Sequence, residues 1–106
     1  LEEMMPVNTE AFAKAIVEKA RKTGSEFTER VDVSHWSSEL IRELVDRLLA
    51  KISGAGFRVK GIRTDTVGFN KFGVERDMGD SGLYNGVPVV ITAVGFDTVE
   101  IVVAPL

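Results

Sequence analysis

The sequence predicts an α+β fold, with two N-terminal helices packed on one face of a three- to five-stranded, mostly antiparallel sheet. Three observations carry that expectation. Apolar residues recur at helical spacing from Phe12 to Ala20 and again from Leu40 to Ile52. The period drops to two after Gly56. Two short apolar runs, Val87 to Val94 and Thr98 to Ala104, then flank a Gly95-Phe96-Asp97 spacer. At 106 residues the chain fits one domain spanning 1–106. Residues 1–7, which open on Leu1-Glu2-Glu3, are expected to be disordered or foreign to that domain.

In the first helix, Asn8 or Thr9 can cap the N-terminus, and Glu10 suits its positive dipole end. Phe12, Ile16 and Ala20, with Ala13 and Val17 beside them, form the apolar stripe; Arg21 and Lys22 suit the far end, and Gly24 is a natural left-handed stop. The second helix is the stronger prediction. Ser37 can cap it, and Trp36 can staple onto Ile41. Leu40, Ile41, Leu44, Val45, Leu48, Leu49 and Ile52 form one broad stripe ended by Gly54 and Gly56. Each large aliphatic side chain buried there contributes about 1.5–3 kcal/mol, so this stripe should dominate the core.

Beyond the glycines, Phe57 and Val59 alternate with Arg58 and Lys60, a strand with one wet face. The alternation slips at Gly61, where a bulge would restore it for Ile62 and Thr64. Residues 67–75 read equally well as a second strand or as irregular chain. The last two runs read as a hairpin across Gly95-Phe96-Asp97, with Pro88 at a strand start or on an edge. One hairpin face (Val87, Val89, Ile91, Ala93, Val99, Ile101, Val103) should pack under the helices. The other (Val90, Thr92, Val94, Glu100, Val102) is more apolar than a solvated face needs to be, and no third helix is expected to cover it.

Composition narrows the function classes. With no cysteine, disulfides, thiolate nucleophiles and Cys-ligated zinc are excluded. A net charge of −3 disfavours bulk nucleic-acid affinity. No apolar run is long enough to span a bilayer and the acidic start carries no basic flank, so a soluble, cytoplasmic protein without membrane contact is expected. Residues 51–63 nevertheless hold four basic side chains and no acid, between two acidic segments. Within that stripe Arg58, Lys60 and Arg63 can track a phosphate backbone or another anion, with Phe69, Phe72 and Tyr84 as stacking platforms. The same residues on a solvated edge strand discourage aggregation, and that reading is preferred.

Gly79-Asp80-Ser81-Gly82 resembles the stretch around the nucleophile of chymotrypsin-like serine proteases, but the chain continues Leu83-Tyr84 where that family has Gly-Pro. The resemblance implies Ser81 as nucleophile, His35 as base and Asp65 as orienter. A polar turn explains the four residues as well, and the chain is about half the length that such a double barrel needs. His35 is the single histidine and reads as a helix-entry residue. Glu75, Asp77 and Asp80 can bind a hard cation, though their spacing matches no established loop. No catalytic residue, metal ligand or cofactor site is assigned.

The segment from Gly68 to Gly86 is the most informative. Five glycines share it with Phe69, Phe72, Met78, Leu83 and Tyr84. Large apolar side chains in a long connection suit a surface that orders on meeting a partner; alternatively they fold back onto the core or add a strand pair. The function expected is a non-enzymatic assembly or interaction protein, a homo-oligomer or the binder of a protein partner. It would associate through Phe69, Phe72, Met78, Leu83, Tyr84, Val90, Val94 and Val102. A structural component of a phage or mobile element fits, although no motif selects that origin. A nucleic-acid or anionic-ligand module is the alternative.

Overall fold

The computed structural model describes residues 7–77 and 79–106, so Met78 and the first six residues of the expected disordered start lie outside the described residues. Among the described residues the architecture is α+β, with three α-helices and a five-stranded mixed sheet. Val7, expected outside the domain, instead packs against the core.

Helix α1 (Thr9–Thr23) begins where the Asn8 side chain accepts from Ala11 N and ends at Gly24, whose φ of 68° closes the last turn. Strand β1 (Phe27–Asp32) follows and was not foreseen. Helix α2 (Ser38–Ile52) is capped by Ser37 and runs into a 3₁₀ turn at Ser53–Ala55. Strand β2 (Phe57–Thr64) carries the expected bulge: its register with the C-terminal strand shifts between Val59 and Gly61, leaving Lys60 as the extra residue.

The following segment is helical, not extended. Asp65 caps α3 (Thr66–Lys71) by accepting from Gly68 N at 2.9 Å. Gly68 is obligatory there, because a Cβ would stand 1.9 Å from Thr64 Oγ1. Strands β3 (Ser81–Tyr84) and β4 (Val87–Ile91) then form a hairpin through Asn85-Gly86. Both turn residues have positive φ, 49° and 83°, as a two-residue turn of the primed type requires. Strand β5 (Thr98–Pro105) completes the order β1-β5-β2-β4-β3.

That order corrects the expected C-terminal hairpin. Strands β4 and β5 are not neighbours, because β2 lies between them, parallel to β4 and antiparallel to β5. Residues 92–97 form the crossover, tied down where Thr92 N donates to Thr64 O at 2.8 Å. Pro88 is therefore not on an edge strand but at the start of one, the second residue of β4. It escapes the ladder because the pairing of β2 with β4 begins one residue later, at Ile62 and Val89.

Alternate strand residues (Val31, Val59, Ile62, Val89, Val99, Ile101, Val103) join Ile16, Leu44, Leu48 and Phe69 of the helices in one buried cluster. Phe69 and Phe72, each 1% exposed, are core residues and not the free surface expected of them. Phe69 sits on α3 and Phe72 directly follows it, where the short helix turns its apolar side inward. Among the described residues no helix is long and apolar enough to cross a membrane.

Candidate functional site

The strand residues that alternate with the core set share the opposite sheet face, and none of them belongs to the core cluster. Cross-strand register arranges them in rows. One row runs Arg30, Glu100, Arg63, Val90, Ser81. The next runs Thr28, Val102, Gly61, Pro88, Leu83, with the Gly61–Pro88 step set by an ideal Gly61 Cβ lying 3.7 Å from Pro88 O. Val90 and Val102 stay half-buried and Leu83 is 60% exposed.

Charge on this face is internally matched. The Glu100 carboxylate accepts from Arg30 at 2.7 Å and pairs with Arg63 at 3.1 Å. Arg30 also donates to Val94 O, which ties the crossover to the face. Lys60 pairs with Glu26 at 3.2 Å. Of the three basic residues nominated for anion binding, only Arg58 has no ion-pair partner among the described residues. Two of the three cations are thus already answered within the chain, which weakens the anion-binding reading.

Around Gly61 lies a shallow apolar depression of about 210 Å³. Gly61, Pro88, Val90 and Val102 line it, with Lys60, Arg63 and Glu26 at its rim. It exists because the bulged strand places a glycine where its neighbours carry side chains. Val94 belongs to an adjoining hollow with Arg30, Arg63 and Glu100. The eight expected interface residues are therefore divided. Leu83, Val90 and Val102 share the sheet face opposite the core positions, Val94 borders it, Phe69 and Phe72 are core, and Met78 lies outside the described residues. Tyr84 points to the core side, where its ring meets Phe72 at 5.4 Å and its hydroxyl donates to Asp46 at 2.9 Å. Burial first, and then this bond to a carboxylate, pushes the phenol up to about 12.

A polar knot missed in the sequence closes one end of the sheet. Lys71 Nζ bonds Asp97 Oδ2 at 2.7 Å and Val33 O at 2.9 Å. Val33 N donates to Asp97 O at 3.0 Å, while Asp97 N donates to Asp65 Oδ2 at 2.7 Å. Asp65, nominated as a catalytic orienter, thus caps α3 with one oxygen and holds the crossover with the other. The Asp97 side chain is only 5% exposed, so this ion pair is shielded from solvent. The signal available in the sequence was Asp65 three residues before Gly68, a capping pattern that places Lys71 at the helix end.

The protease-like constellation does not assemble. Ser81 lies on β3 at one edge of the sheet, and His35 follows β1 at the other. Four inter-strand steps, about 19 Å, separate the two strands, far beyond the reach of a proton transfer. His35 is exposed, and its neighbour Asp32 accepts from Ser34 N at 3.0 Å, the bond that chiefly holds its carboxyl below the usual range. Among the described residues no group of three acidic or histidine side chains is placed to hold a metal ion. No family model, curated protein or solved structure matches the chain.

Proposed function

We propose that this chain is a non-enzymatic interaction protein that self-associates through the open face of its sheet. The helices, on this reading, form a single layer on the other face, since their buried residues cluster only with the inward strand positions. The observation that carries the proposal is the contiguous strip of Val102, Gly61, Pro88, Val90 and Leu83, apolar and outside the core, framed by ion pairs that are already satisfied. A face with matched charge at its rim and aliphatic surface at its centre has the anatomy of a protein interface, and it is poorly suited to a polyanion.

Size-exclusion chromatography with light scattering tests it. The wild-type chain should elute above monomer mass at high concentration, and Val102→Asp, which places a charge in the wall of the depression, should return it to monomer. A Val102→Asp protein that associates as well as wild type would remove the open face from the account.

A further inference from the structure

The open face carries both a projection and a hollow, in one row. Leu83 on β3 is the exposed aliphatic side chain, and the depression over Gly61 on β2 is the hollow; Pro88 on β4 lies between them. Each is one inter-strand step from Pro88, about 4.8 Å. A two-fold axis parallel to the strands and passing over Pro88 therefore exchanges the two positions. Face-to-face packing about that axis keeps the strands of both sheets aligned, a standard arrangement for stacked sheets.

We propose that a second copy of the chain seats its Leu83 in the depression over Gly61 and receives the first copy's Leu83 over its own Gly61. This rests on the reading that the open face self-associates, and it adds the register. Charge agrees with it. In the next row the same axis brings Val90 over Val90 and Arg63 over Ser81, so no like charges oppose one another. The Arg30–Glu100 pair falls outside the overlap of β2, β4 and β3. That overlap is small, about 250 Å² in projection, against the roughly 800 Å² per partner of a standard interface, so the dimer is weak and reversible.

The position of the glycine allows a clean test. A Cβ at Gly61 meets nothing closer than Pro88 O at 3.7 Å and its φ lies outside the left-handed region, so a side chain fills the hollow without disturbing the monomer. Sedimentation velocity is run on wild type, Gly61→Leu, Leu83→Ala, and the double variant Gly61→Leu/Leu83→Ala, with thermal melts as the fold control. Each single variant should weaken association at least tenfold. The double variant, with projection and hollow exchanged, should recover most of it, because the same axis still brings them together. Leu83→Glu, at a position 60% exposed, supplies the same readout should the change at residue 61 unfold the chain. If wild type associates while the single variants match it, or if the exchange is no better than either single change, the register is wrong and self-association stands. A wild-type monomer at every concentration removes both.

Discussion

Replacing Lys71 by methionine tests whether the polar knot holds the crossover in place. Lys71 Nζ sits 2.7 Å from an Asp97 carboxylate whose side chain is 5% exposed, and 2.9 Å from Val33 O. Methionine preserves the length and apolar stem of lysine but leaves the carboxylate buried without its countercharge. Breaking such a pair costs about 3–5 kcal/mol, a large part of the roughly 5–15 kcal/mol that stabilises a domain. With a denaturant slope of about 2 kcal/mol per M, the urea midpoint should fall by about 2 M. Asp97→Asn in the Lys71→Met background removes the stranded charge. It adds no backbone strain, because Asn tolerates the positive φ of 47° that Asp97 adopts. The double variant should therefore be more stable than Lys71→Met alone, with a coupling of about 2 kcal/mol. A loss below about 1 kcal/mol for Lys71→Met, or strict additivity in the cycle, would refute the claim that this pair is structural.

Other consequences are equally direct. Gly68→Ala should destabilise by about 1–3 kcal/mol or more in chemical denaturation, since the new methyl would lie 1.9 Å from Thr64 Oγ1, itself engaged with Thr98 O at 2.8 Å. Phe69→Ala should cost about 3–5 kcal/mol, whereas Leu83→Ala should change monomer stability by only about 0.5 kcal/mol; equal losses would contradict the division between core and open face. Tyr84 carries a phenol raised to about 12 from its ordinary 10, so the folded state prefers the protonated form. Its contribution is complete below pH 10 and is lost as pH rises toward 12. Tyr84→Phe should flatten that part of the stability profile, and an unchanged alkaline limb would show that another group titrates there.

Helices α1 and α2 were legible because stripe and cap agree in the sequence: Asn8, Gly24 and Ser37 all stand where the backbone uses them. Strand β1 was hidden by Glu29, an acid on the inward alternation of Phe27 and Val31 that Lys19 accompanies at 3.0 Å. Helix α3 was obscured by Thr66, Val67 and Gly68, poor helix formers whose position is decided by the Asp65 cap and by packing of Phe69. The hairpin error has a similar origin. Gly95-Phe96-Asp97 reads as a turn and the Asn85-Gly86 turn was overlooked, but local chemistry does not say which strands become neighbours, and β2 enters between β4 and β5 through long-range pairing. For the site, alternation alone identified Val90 and Val102. The hollow at Gly61 and its relation to Leu83 required the strand order, since those residues are distant in sequence and meet only in a shared row.

Sedimentation equilibrium of the unmodified chain, from about 1 μM to about 1 mM, tests self-association most directly. The weight-average mass should climb with concentration from the 11.6 kDa of one chain toward twice that value. A mass that stays at 11.6 kDa across the whole range would contradict it.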